Sequence, residues 1–390
     1  MFNREIEKKI EEYKKFRIIA IVGPRQSGKS TLAQKSFPNH TFISLDLDVN
    51  KNFAQEDPEG FLNTYANKYG IILDEAQKIP EIFPYLKYYA DKHKKAGYFI
   101  LTGSQNFLLN KEITESLAGR VGIINLLPLS LKECLENKIL SENYTQAIYK
   151  GFYPELYDTE ILPSIYYQNY IQTYIERDVR SLINIVNLSV FKKFLSLCAG
   201  RVGQLLNLES LAIETGVSAP TIKHWLSILE SSYIIFLLQP YYKNFNKRLT
   251  KSTKLYFFDT GIATSLLNIK NSEELLFSPF RGHLFENLII ADLYKQYTNL
   301  ALKPNLYFWR DLGGTYEIDC ITEVNNNIYP IEIKAGETII NDFFKGIEYF
   351  KNISNCARPY IVYGGKEKQI RTNFSVLGWQ ESFELIESLE

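Results

Sequence analysis

Four cysteines, four histidines and a net charge of zero remove several classes of protein at once. Cys134, Cys198, Cys320 and Cys356 stand apart and form no C-x-x-C, so neither a zinc knuckle nor a disulfide framework is indicated. The histidines have no metal-ligand spacing. Forty-four basic side chains balance 44 acidic ones, so any affinity for nucleic acid must come from local clusters. The longest apolar runs, such as residues 233–238, are far too short to cross a bilayer. Met1 to Lys9 is charged and holds no apolar signal core, which predicts a cytoplasmic protein with no membrane partner. Length and aromatic rings are plentiful. The 390 residues exceed one ordinary core and predict two to four domains, and 27 Tyr with 25 Phe predict large buried surfaces.

Gly23-Pro24-Arg25-Gln26-Ser27-Gly28-Lys29-Ser30 fits G-x-x-x-x-G-K-[ST] at every fixed position. An apolar, β-branched run over 17–22 precedes it and reads as a buried strand; from Thr31 the chain continues as a helix. Such a turn is an anion site, because backbone amides and the helix dipole converge on one point. Gly23 and Gly28 admit the left-handed torsions that closing around phosphate needs. The expected ligand is ATP with Mg²⁺. Gly23 through Thr31 would cradle the phosphates, Lys29 would reach the β- and γ-phosphates, and the Ser30 hydroxyl would ligate the metal.

A strand expected over 69–73 runs into Asp74-Glu75, which matches a Walker B strand. Asp74 would join the Mg²⁺ shell and Glu75 would act as general base. The next strand ends in Thr102-Gly103-Ser104. Either Ser104 or Thr102 senses the γ-phosphate, or the segment is only a polar turn. A fifth strand is expected over 123–128, closed by Pro128, with Ser130 and Glu133 as a capping box for the following helix. For Arg120, just before that strand, two readings stand: a guanidinium for the transferred phosphate, in cis or in a neighbour's site, or a surface ion pair.

Taken in order, several phrases resemble the bacterial and archaeal AAA+-type ATPases whose P-loop core is fused to a C-terminal domain of unknown function. They are Gly23 to Ser30, Ile71 to Gln77, Leu101 to Ser104, Ser116 to Arg120, Gly151 to Glu155, Tyr174 to Val179 and Lys254 to Gly261. The resemblance implies an ATPase with a parallel sheet of AAA+-like strand order, and a homo-oligomer is compatible with it. Ser30 stands where many members have Thr, and either hydroxyl serves Mg²⁺.

Residues 130–197 carry Leu, Tyr and Ile at helical spacing, and Tyr166, Tyr170, Tyr174 and Val179 share a face that reads as core. Arg177-Asp178 reads as a structural pair. Further on, Ala212, Gly216, Ile222 and Trp225 have helix-turn-helix spacing. The second helix would present Ala219, Thr221, Lys223 and His224. A following segment with Lys243, Lys247, Arg248, Lys251 and Lys254 would form a basic wing, which fits DNA phosphates or a protein-docking module.

Strands over 316–322 and 328–334 flank Asn325-Asn326, whose tolerance of positive φ suits a two-residue hairpin. A turn centred there sets Asp319 opposite Glu332 and Glu317 opposite Lys334. Two acids and a lysine then converge, in an array that resembles the PD-(D/E)xK nucleases. By that resemblance Asp319, Glu332 and Glu286 would serve a metal ion and Lys334 would orient water or stabilise the transition state. A cross-strand ion pair is the plainer reading, and a degenerate domain that only binds is compatible with the same residues.

The expected fold is α/β: a P-loop parallel-sheet ATPase core (1–135), a helical connector (136–197), a winged-helix-like unit (198–262) and a restriction-endonuclease-like domain (263–390). Two functions follow. One is an ATPase coupling nucleotide state to a DNA-facing C-terminal half with metal-dependent nuclease chemistry. The other is a nucleotide-dependent regulator or scaffold that binds protein partners.

Overall fold

The fold is that of a computed structural model, which describes residues 1–104, 116–174, 188–241, 252–311, 313–354 and 356–387. Five strands, β1 (Ile18–Val22), β2 (Thr41–Ser44), β3 (Ile71–Asp74), β4 (Phe99–Gly103) and β5 (Val121–Asn125), form a parallel sheet in the order β2-β3-β4-β1-β5. Every residue of β1 is buried, as a strand covered on both faces requires. Its alternation divides the core. Ile19 and Ile21 meet Leu32 and Ala33 of helix α1 (Lys29–Ser36). Ile18, Ala20 and Val22 face Ala54 of α2 (Asp48–Glu56), Phe61 of α3 (Pro58–Tyr65) and Phe83 of α4 (Phe83–His93).

The edge strand β5 begins two residues earlier than the sequence suggests. Gly122 obscures the apolar pattern there, and its lack of a side chain is what admits the Phe16 ring: a Cβ at Gly122 would lie 2.6 Å from it.

Helix α5 (Leu131–Glu136) opens with the expected capping box, in which Ser130 Oγ accepts from Glu133 N and the Glu133 carboxylate accepts from Ser130 N. Helices α6 (Tyr144–Lys150) and α7 (Pro163–Tyr170) follow. Then come α8 (Leu188–Ala199), α9 (Leu208–Thr215) and α10 (Ala219–Ser231), and the antiparallel pair β6 (Ile235–Pro240) and β7 (Lys254–Phe257). Gly216 closes α9 at φ +82°, a left-handed cap that costs an L side chain but not glycine.

After α11 (Thr260–Leu266), the 19-residue helix α12 (Arg281–Asn299) lies against the second sheet. That sheet adds β8 (Leu306–Arg310), β9 (Glu317–Val324), β10 (Asn327–Lys334), β11 (Tyr360–Tyr363), β12 (Gln369–Ile370) and β13 (Ser375–Gly378), with helix α13 (Lys345–Ile353) after β10. Its order is β12-β13-β11-β10-β9-β8-β6-β7. The pair β6 and β7 is therefore part of the C-terminal sheet, through the parallel pairing of β6 with β8. One apolar cluster runs from Leu127 to Ile386, across residues 197 and 262.

Candidate functional site

Pairing of Val22 with Gly103 and of Leu73 with Leu101 brings the ends of β1, β3 and β4 to one edge of the first sheet. The P-loop, Asp74 and Ser104 meet at that edge. Gly23 has φ +151°, and a Cβ on it would lie 2.1 Å from the Leu126 carbonyl oxygen, so only glycine fits. Gly28, at φ +92°, caps α1. Lys29 is 6 % exposed, and its Nζ donates to the Pro24 carbonyl at 2.6 Å. Ser30 Oγ donates to Asp74 Oδ1 at 2.6 Å, and Thr102 Oγ1 donates to the same oxygen at 2.5 Å. Glu75 sits at φ +58°, an uncommon torsion for this residue type, and accepts from Ser104 Oγ at 2.8 Å and Gln77 Nε2 at 2.5 Å. Burial lowers the Lys29 ammonium from its ordinary 10.5 to about 8, against the pull of Glu75 and Asp74, and the Arg25 charge adds to the depression.

Ser30 and Asp74 place two hard oxygen donors side by side. That suits Mg²⁺, which takes one or two protein oxygens and keeps most of its waters. The edge opens into a cavity of about 670 Å³, in the range of roughly 300–1,000 Å³ usual for small-molecule sites. Thr31, Glu75, Pro154 and Glu155 are among its walls.

The connector does more than form core. Tyr166, Tyr170 and Tyr174 are buried as expected. Tyr166 OH also donates to Gln26 Oε1 at 2.8 Å, and Tyr170 OH to the Arg25 carbonyl at 3.4 Å. Val179, Arg177 and Asp178 lie outside the described residues. On the other side, the buried Arg4 guanidinium donates to the Ser27 carbonyl at 2.8 Å, to the Leu127 carbonyl at 2.6 Å and to Glu133 Oε1 at 2.9 Å. Sequence reasoning missed Arg4. Its partners stand 23, 123 and 129 positions away, and no local pattern marks such a contact.

Arg120 corrects an expectation. It precedes the N-terminal end of β5, and Val121 pairs with Ile18, so it lies at the sheet edge opposite the P-loop. There its Nε donates to Asp91 Oδ1 at 2.8 Å, beside Arg17, which holds the same oxygen at 2.8 Å. The length of the strand between excludes a cis role on phosphate, and Arg120 forms an ion pair with Asp91.

The C-terminal residues also converge. β9 and β10 pair as expected, from Asn327 with Val324 to Ile331 with Cys320, around Asn325 and Asn326 at φ +50° and +64°. Asp319 Oδ2 accepts from Ile333 N at 2.8 Å. Lys334 Nζ lies 2.5 Å from Glu332 Oε1 and 3.7 Å from Asp319 Oδ2. Glu286, on α12, meets the same group, where Tyr256 OH donates to it at 2.5 Å and Lys254 Nζ lies 2.9 Å away. Lys254 is the second correction. It is 2 % exposed and also pairs with Glu317 at 2.5 Å, so it is not a wing residue for phosphate. Lys243, Lys247, Arg248 and Lys251 lie outside the described residues. Burial, and next the Asp319 charge, raise Glu332, while burial raises Glu286 against the pull of Lys254. Lysines sit where the resemblance implied a metal ion, and among the described residues no group of three or more His, Cys, Asp or Glu is arranged to hold one.

Residues 15–135 match a family model described as AAA domain. This segment is therefore similar to AAA-type P-loop ATPase domains. Two further models, Domain of unknown function (DUF8612) and Domain of unknown function (DUF4143), match residues 141–273 and 281–381. The chain is 29 % identical over 327 residues to Uncharacterized protein Rv2008c of Mycobacterium tuberculosis, covering 82 % of this chain and 71 % of that protein. It is 25 % identical over 384 residues to Uncharacterized protein MJ1544 of Methanocaldococcus jannaschii, covering 88 % and 82 %. Among solved structures, the Walker-type ATPase PABY2304 of Pyrococcus abyssi aligns at a TM-score of 0.47 and 17 % identity, covering 68 % of this chain and 96 % of that one.

Proposed function

We propose that the protein binds ATP between the P-loop edge and the connector, hydrolyses it, and uses nucleotide state to move a DNA-facing C-terminal half. The observation that carries this reading is the Ser30–Asp74 contact beside Lys29, with Ser104 holding Glu75. Lys29 holds the β- and γ-phosphates, and Glu75, fixed by Ser104 and Gln77, takes the proton of the attacking water. Mg²⁺ held by Ser30 and Asp74 supplies neutralisation of the phosphate oxygens. Lys29→Ala abolishes turnover in a phosphate-release assay; wild-type turnover by that variant refutes the site.

The DNA-facing part of the reading rests on α8 to α10 with β6 and β7, taken as a winged helix. Ile222 and Trp225 are buried while Lys223 and His224 are exposed. Its nuclease part rests on the convergence of Asp319, Glu332, Lys334 and Glu286. Nicking of plasmid with Mg²⁺ or Mn²⁺, lost in both Asp319→Ala and Lys334→Ala, tests it, and intact plasmid across metals counts against it.

The pairing of Lys254 and Lys334 with those acids favours a second reading: a degenerate nuclease-like domain in a cytoplasmic, nucleotide-dependent regulator that binds protein. A DNA anisotropy titration at two salt concentrations separates the two. Steep salt dependence supports DNA contact, and no binding supports the regulator. A homo-oligomer belongs to either reading and is tested by sedimentation.

A further inference from the structure

We infer that Arg25, a variable position of the P-loop motif, is a catalytic residue that contacts the terminal phosphate in cis. This deepens the ATPase reading and rests on it. Arg25 lines the same cavity as Lys29, Ser30 and Glu75. Two cationic side chains on the walls of one cavity suit an anion between them. The two acids beside them, Asp74 and Glu75, call for a cation in turn. This pattern of charge is complementary to a metal-bound polyphosphate tail.

The chain at Arg25 and Gln26 is held by the connector. The Arg25 carbonyl accepts from Tyr170 OH, and the neighbouring Gln26 accepts from Tyr166 OH and reaches Glu155. The guanidinium lies over the Tyr174 ring, 5.4 Å from the centroid. That ring also lines the cavity, so the planar group lies at its wall, where phosphate can take a charge-assisted, two-pronged bond. Arg120, the arginine for which the sequence leaves that role open, is at the far edge of the sheet.

In the reaction, the water oxygen bonds to the γ-phosphorus. The bond to the β,γ-bridging oxygen breaks, its electron pair stays on ADP, and the water proton passes to Glu75. Arg25 bonds to the equatorial oxygens of the transferred group, where charge is spread in the transition state.

The test compares Arg25→Ala, Arg25→Lys and Lys29→Ala in steady-state MgATP hydrolysis, with ADP affinity measured in parallel. Arg25→Ala is expected to lower kcat about 10²–10³-fold, with ADP affinity within threefold of wild type. Arg25→Lys should fall between, since it keeps charge without the fork. A kcat for Arg25→Ala within tenfold of wild type overturns the inference and leaves the ATPase reading intact, provided Lys29→Ala is inactive. Loss of ADP binding in Arg25→Ala also overturns it, because the residue then only shapes the site. No turnover by the wild type overturns both.

Discussion

Raising the pH from 7 to 9 should weaken ADP binding through one buried ammonium. Lys29 titrates near 8 in the free protein because burial disfavours its charge. A bound phosphate tail favours that charge and restores the proton. At pH 7 about nine tenths of the free protein carries the proton on Lys29, and at pH 9 about one tenth does. Affinity should therefore fall about tenfold, or about 1.4 kcal/mol. Isothermal titration at pH 7, 8 and 9 reads the loss directly. Repeating the titration at pH 8.5 in buffers of different ionisation heat should show uptake of about three quarters of a proton per ADP bound. The sign for folding runs the other way. The unfolded chain holds this proton up to 10.5, so between 8 and 10.5 it binds more protons than the folded one. The destabilisation due to Lys29 is complete below about 8 and is relieved as pH rises through that window. Affinity that stays flat from pH 7 to 9, with no proton uptake, refutes the reasoning.

Gly23→Ala should lose roughly 1–3 kcal/mol from its torsion alone, with more from the Leu126 carbonyl, read as a lower urea midpoint. Arg4→Ala should cost about 3–5 kcal/mol, since it strands the fully buried Glu133 carboxylate; an unchanged midpoint would refute the burial argument. Burial raises Glu332 above its ordinary 4.5, so its protonated form is favoured in the folded state. Its contribution to stability is full below 4.5 and is lost as pH rises through the raised value. Glu332→Gln should flatten that fall in a series of thermal melts.

What was legible in the sequence was what is encoded locally. The P-loop, the carboxylates after β3 and the Asn325-Asn326 hairpin each depend on torsions and alternation within about ten residues. The Ser130–Glu133 capping box is of the same kind. The contacts that complete the site are not. Tyr166 reads as core because it is core, and nothing in its spacing shows that its hydroxyl ends on Gln26, 140 positions away. Lys254 sits in a basic run and looks like a wing residue until Glu286 and Glu317 fold around it. Arg120 could be placed only once the strand register said which edge of the sheet it occupies.

β6 has one neighbour on each side, β7 antiparallel and β8 parallel, although more than sixty residues separate it from the latter. A fragment ending before Leu306 would keep β6 and lose that partner. Its backbone donors and acceptors would be left beside apolar side chains, an invitation to pair with another chain. Shortened forms of this protein should therefore aggregate where an independent module would stay soluble. By the same logic, bending at 262 would tear ladder bonds, so any stroke driven by nucleotide carries hairpin and sheet together.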